Sequence, residues 1–317
     1  MRYALIGLLL IVTGFSGPMA LSRAAQQLSQ DTKAARIELG RRLFYDADLS
    51  INGTMSCATC HEQHHGFADG NRSHPGALDD PGRRNVPTLA NVGDFPRLTW
   101  ADPRLTSLEE QVAVPMFGDH PVEMAMKGHE VEIARRLGRD RCYRAQFLQA
   151  FPESDGAIDY PKVASALATF ERALVSRGSD WDKSILSHQA REGAEIFKRS
   201  CASCHSGVNF TDSRYHRIGA LPALEAADTG LAEVTGRPGD RGRFRTPSLR
   251  NVTVSAPYLH DGSAVSLDAA IAAHTRNATI SKAGRRKVIA YLASLTDHAF
   301  LTNPAYSLPT VACGKAL

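Results

Sequence analysis

The chain has 317 residues, 43% of them hydrophobic and 22% charged, with a formal net charge of +4. That length suits one large domain or two of ordinary size, and the composition excludes a disordered chain. The charges are mixed and form no long like-charge block, which excludes a nucleic-acid footprint.

The first segment reads as a secretory signal peptide, residues 1–24. Arg2 supplies the positive start, Leu5 to Val12 is an apolar run too short to span a bilayer, and Gly14, Ser16, Gly17, Pro18 and Ala20 precede an expected cleavage between Ala20 and Ala25. No later segment is apolar enough to span. The mature chain is expected in the periplasm, without stable membrane insertion.

Asp31–Phe44 reads as a helix leading to Cys57-Ala58-Thr59-Cys60-His61. Tyr160–Ser176 reads as an amphipathic helix, with Val163, Leu167, Phe170 and Leu174 at helical spacing. Ser187–Arg199 leads to a second motif, Cys201-Ala202-Ser203-Cys204-His205. Ser266 caps an expected helix over Leu267–Arg276, and Ser281 caps another reaching about Leu295. The stretches Gly66–Asn91, Arg97–Pro121 and Ser206–Pro257 are rich in Gly, Pro, Asn and Asp and read as long irregular loops. The fold class is mainly α: two tandem cytochrome c-like domains, 25–165 and 166–317, with loops wrapping their cofactors.

Cys-x-x-Cys-His is the attachment signature of c-type haem: two thiols form thioethers and the histidine holds the iron. A redox or zinc motif requires neither the histidine nor a second copy. Cys57, Cys60 and His61 therefore take one haem, and Cys201, Cys204 and His205 another. The remaining cysteines, Cys142 and Cys313, either pair in an oxidising compartment or stay as buried thiols.

Leu39-Gly40-Arg41-Arg42-Leu43-Phe44-Tyr45-Asp46, Leu108-Glu109-Glu110-Gln111, Pro121-Val122-Glu123-Met124-Ala125, and Pro247-Ser248-Leu249-Arg250-Asn251-Val252 followed by Ala256-Pro257-Tyr258-Leu259-His260-Asp261-Gly262-Ser263 together resemble the bacterial dihaem cytochrome c peroxidases and MauG. The segments Leu98–Leu105, Asn209–Ser213 and Thr229–Pro238 are similar to those of the methanobactin-associated, MbnH-like enzymes. The resemblance implies a peroxide-reactive first haem and a low-spin second haem. It implies that Glu123 is the distal acid/base, that Gln111 and Pro115 line its pocket, and that Trp100 lies between the haems. It implies a calcium ion held by Asn91, Ser255 and Pro257, and it maps the second haem's sixth ligand to His274. No methionine follows Met126, so the second half has no Met ligand; Tyr258 and Tyr291 are the alternatives to His274. His74 is nearest to the loop histidine that closes the first haem in some relatives. It falls a few residues short, and with His64 and His65 it also reads as a solvated loop residue; an open first haem is expected.

The resulting expectation is an oxidoreductase in which H2O2 generates high-valent haem iron and a partner protein is oxidised, tryptophan to kynurenine in a copper-binding protein. Two other readings stand beside it. One is a conventional peroxidase that reduces H2O2 to water with electrons from a donor protein; the other is a dihaem electron carrier.

Overall fold

In the computed structural model, residues 18–219, 228–274 and 279–316 are described. Most of the expected leader lies outside them. The long helix α1 spans Pro18–Phe44, and the single turn α2 spans Cys57–Cys60. Helices α3 (Leu108–Phe117), α4 (Glu130–Leu137), α5 (Arg141–Ala150) and α6 (Tyr160–Ala173) complete the first half. The second half holds α7 (His188–Ser200), the short α8 (Ala232–Thr235), α9 (Leu267–Ala273), α10 (Lys282–Ala293) and α11 (His298–Leu301). Strand content is slight: β1 (Tyr215–His216) pairs antiparallel with β2 (Phe244–Arg245), and β3 (Val311–Ala312) with β4 (Lys315–Ala316).

Local chemistry sets the helix starts. The side chains of Ser107, Asp140, Asp159, Ser187, Ser266 and Ser281 each accept a backbone N–H from the first turn that follows, satisfying donors the helix cannot. Among the stretches expected to be irregular, Arg97–Pro121 differs, because it contains α3. Pro115 inside that helix masked the Ser107 cap and the acidic first turn. Besides α8, the other two stretches hold only turns, two-residue strands and the 3-10 turns Pro238–Asp240 and Val252–Val254 among the described residues.

The two halves share one plan. In each, a helix runs into the Cys-x-x-Cys-His motif and is crossed by the helix that closes the half: α1 by α6, and α7 by α10. Both crossings occur at a glycine. A Cβ on Gly40 would lie 2.0 Å from the Ala166 carbonyl oxygen, and one on Gly193 would lie 1.9 Å from that of Lys287, so only glycine lets the backbones approach this closely. The closing helices also end alike. Asn91 N–H donates to the Leu174 carbonyl at 2.8 Å while its Oδ1 accepts Ser176 N–H. Asn251 N–H donates to the Leu295 carbonyl at 3.2 Å while its Oδ1 accepts Asp297 N–H. Both asparagines adopt a left-handed conformation at φ 58°. They sit in repeated words, Val86-Pro87-Thr88-Leu89-Ala90-Asn91-Val92 and Thr246-Pro247-Ser248-Leu249-Arg250-Asn251-Val252. The repeat is offset by 160 residues, whereas the haem motifs are offset by 144, so the second half carries a longer connection between its motif and this word.

The boundary expected at 165/166 lies on a helix. It falls inside α6, whose Ala166, Leu167, Ala168 and Phe170 are buried in the first half's core along with Leu174. The C-terminal end also returns to the first half. Phe300 of α11 packs on Phe67 in that core, Gln63 donates to the Phe300 and Asn303 carbonyls, and Cys313 is disulfide-bonded to Cys142 at the start of α5. The sequence left that pairing open; the fold decides it by bringing the two α-carbons to 5.8 Å. The bridge closes a loop with a sequence separation of 171 residues. Cys313→Ser is therefore expected to cost about 2–4 kcal/mol, read as a lower denaturant midpoint; an unchanged midpoint would show that the tail is held by packing alone.

Candidate active site

The first motif is set by α2, which places Cys57 and Cys60 one turn apart on one face. Ser56 and Thr59 cap this turn reciprocally. His61 follows immediately, its N–H donating to the Cys57 carbonyl at 2.9 Å. Its Nδ1 hydrogen-bonds the Phe67 carbonyl at 2.8 Å, which fixes the ring and leaves Nε2 as the ligand atom. The second motif repeats this. His205 N–H donates to the Cys201 carbonyl at 2.9 Å, and His205 Nδ1 donates to the Phe210 carbonyl at 3.0 Å. Burial lowers the pKa of both histidines, keeping them neutral and able to ligate. Arg250, wholly buried, supports the second motif from behind: its guanidinium donates to the Val208 carbonyl and pairs with Asp182 at 2.6 Å, holding the loop that carries the Phe210 acceptor.

Around the first motif, residues 121–126 run beside the end of α3. Met124 N–H donates to the Pro115 carbonyl and Met126 N–H to that of Met116, both at 2.9 Å. Met124 and Met126 are buried in the core. The Glu123 carboxyl acts electrostatically on both Cys57 and Cys60. Burial raises its pKa, and the nearby His74 opposes this in part. Gln111 and Pro115 lie one turn apart on α3 and share a face. His74 sits on the loop that crosses the Glu123 stretch, where Ala77 N–H donates to the Glu123 carbonyl at 2.6 Å; its own Nδ1 is engaged with the Pro75 carbonyl.

Two carboxyls here were not foreseen. Glu171 of α6 is 5% exposed and acts on Cys57, and its Oε2 has no partner. Burial pushes its pKa up to about 8, so at neutral pH it is largely protonated. Asp69 is fully buried; its Oδ1 accepts from Asn71 while Oδ2 has no partner. A hydrophilic residue at a core register of an amphipathic helix was the available signal for Glu171.

The second motif opens onto a cavity of about 450 Å³ whose lining includes Cys201, Cys204, His205, His274, Trp100 and Tyr258. Its size is in the ordinary range for cofactor sites. His274 is not inside a helix as expected: α9 stops at Ala273, and His274 is the residue that ends it. Residues 275–276 of that expected helix lie outside the described residues. The early end has a purpose in the geometry. His274 Nδ1 donates to the Ala270 carbonyl at 2.7 Å, so Nε2 is free, and the ring centroids of His205 and His274 are 6.4 Å apart. Two imidazoles on opposite sides of one metal, each bonded at about 2.0–2.1 Å, put their ring centres roughly 6 Å apart. The residues present therefore fit a haem iron between them.

The chain belongs to the di-haem cytochrome c peroxidase family. A model of that family matches residues 34–190. The chain is 33% identical to a cytochrome c551 peroxidase of Nitrosomonas europaea, over 93% of this chain and 89% of that one. It is 35% identical to the methylamine utilization protein MauG of Methylophilus methylotrophus, over 74% of this chain and 71% of that one. Among solved structures, a MauG-like protein associated with microbial copper homeostasis superposes with a TM-score of 0.82 at 32% identity, covering 87% of this chain and 93% of that one. The protein is accordingly a haem oxidoreductase.

Within that family frame, Trp100 lies in the wall of the second cavity, 8% exposed, its Nε1 donating to the Asn85 carbonyl at 2.7 Å. Arg245 N–H donates to the Trp100 carbonyl at 2.8 Å, tying it to β2. Tyr258 lines the same cavity, whereas Tyr291 is a core residue packed on Phe197. Ser255 and Pro257 line the second cavity, but the Asn91 carboxamide is engaged at both ends, accepting Ser176 N–H and donating to Ser176 and Asn209. It makes the bracket that Asn251 makes in the other half.

Proposed function

We propose that the protein uses H2O2 at the first motif to oxidise a partner protein in the periplasm, by way of the second motif, with tryptophan-to-kynurenine conversion in a copper-binding partner as the outcome. Each pair of motif cysteines carries its haem through thioether bonds. Export is supported by the leader pattern and by the disulfide, which persists in oxidising compartments. No helix among the described residues is long and apolar enough to cross a membrane.

The observation that carries this reading is the opposed histidine pair. Bound haem supplies an iron that takes up oxidising equivalents from peroxide. Axial-ligand choice spans ~0.8 V in haem proteins, and two imidazoles favour the oxidised state relative to His/Met. A second haem held by His205 and His274 is thus poorly matched to drawing electrons from a small cytochrome and well matched to sharing oxidation. At the first motif Glu123 takes the proton from one peroxide oxygen and returns it to the other, so the O–O bond breaks and water leaves. Gln111 and Pro115 shape the space in which the peroxide sits. Trp100, in the wall of the second cavity, conducts between the two centres.

Electron paramagnetic resonance of the resting protein is expected to show one high-spin and one low-spin ferric centre. His274→Ala should convert the low-spin signal to high-spin. An unchanged low-spin signal would remove His274 from the ligand set and, with it, the case against a conventional peroxidase. Stoichiometric oxidation of a reduced small cytochrome by H2O2, with no kynurenine in a copper-binding partner, would favour that second reading.

A further inference from the structure

The loop between the first motif and Phe67 carries a second cluster of donor atoms that the haem chemistry does not use. Glu62, His64 and His65 each offer one ligand atom, and these atoms lie within 4.8 Å of one another. His64 is 69% exposed at its side chain, and its Nε2 is 3.0 Å from Glu62 Oε2. The two imidazole rings are 4.2 Å apart. His65 is held differently: its Nδ1 donates to the Val254 carbonyl of the second half at 2.7 Å, so Nε2 carries the free lone pair. Gly70 keeps the approach to that nitrogen clear, since a Cβ there would sit 3.0 Å from it.

We propose that Glu62, His64 and His65 form a binding site for one divalent transition-metal ion, Cu2+ in preference to Zn2+. Two imidazole nitrogens and a carboxylate oxygen bind such ions at about 2.0–2.2 Å, which requires donors roughly 3–4 Å apart; a small rotation of the exposed His64 closes the observed spacing. A fixed outer-shell acceptor of the kind His65 has in Val254 sets the tautomer a metal-binding histidine needs. For a given nitrogen and oxygen donor set, affinity rises to Cu2+ and falls at Zn2+. The other His-containing cluster, Cys204, Asp212 and His216, is different: Cys204 belongs to haem attachment. The Glu62 site lies directly after His61, and its His65 is anchored one residue before Ser255 of the second cavity. A bound ion would therefore join the first haem's loop to the seam between the halves.

The test is a titration of tag-free holoprotein with Cu2+, followed by calorimetry and by the Cu2+ paramagnetic resonance signal. One equivalent should bind, with hyperfine structure from two nitrogens, and Zn2+ at equal concentration should not displace it. His64→Ala and Glu62→Gln should each weaken binding at least ~10-fold, while an unchanged haem absorption spectrum shows that the variants are folded. The proposal is overturned if wild type binds no equivalent more tightly than about 100 µM, or if either variant binds Cu2+ as tightly as wild type. Displacement by equimolar Zn2+ overturns the stated preference. None of these readings depends on which substrate the enzyme oxidises.

Discussion

Glu123→Gln is expected to slow the reaction with H2O2 by about 10²-fold or more, the usual scale for a lost general acid/base, with haem content unchanged. The amide keeps the shape of the side chain and cannot carry the proton. The backbone that presents it is held independently, through Met124, Met126 and Ala77, so the substitution should leave the pocket intact. The pH profile adds a second signature. Burial raises the Glu123 pKa above the ordinary carboxylate range. The carboxylate is the form that accepts the first proton, so the wild-type rate should fall as pH drops through that raised pKa. The variant should show no such limb. Stopped-flow rates equal to wild type would mean that Glu123 is not the proton shuttle.

Trp100→Phe is expected to leave the first centre reactive and to disconnect it from the second. Phenylalanine keeps most of the ring's packing and is much harder to oxidise. The variant loses the hydrogen bond to the Asn85 carbonyl, a net stability cost of about 1 kcal/mol, too small to unfold the domain. Glu123, Gln111 and His61 are untouched, so the first haem's spectrum should still change on adding H2O2. The second haem's spectrum should not follow, and kynurenine in a co-expressed partner, measured by mass spectrometry, should fall at least ~10-fold if this indole is the conductor. A carrier without peroxidase chemistry would show little H2O2 reaction in either form. Partner oxidation at the wild-type rate would transfer the bridge to another residue. Trp181, the other tryptophan, is not an equivalent substitute: the buried Arg250 guanidinium lies 5.1 Å from its ring centroid, and a fixed positive charge opposes removing an electron from it.

How much was legible in advance follows from how local each feature is. The two haem sites could be read directly, because thioether attachment and proximal ligation need residues adjacent in the chain. The helix starts at Ser187, Ser266 and Ser281 were legible for the same reason, since a cap acts within one turn. His274 was placed by resemblance and by the absence of methionine after Met126; what only the fold could supply is that it faces His205 across 6.4 Å with its Nδ1 already tied down. Helix α3 was missed because a proline stands inside it, where packing against α6 outweighs the local cost. The boundary between the halves, the return of α11 to the first core and the Cys142–Cys313 bridge were decided by tertiary structure alone. Each joins residues far apart in sequence, and no short-range pattern records which distant surface a segment will bury against. Glu171 belongs with them: its position on a helix could be read from the sequence, but that it is buried with Oε2 unpartnered, where its charge acts on Cys57, is a property of the packed core.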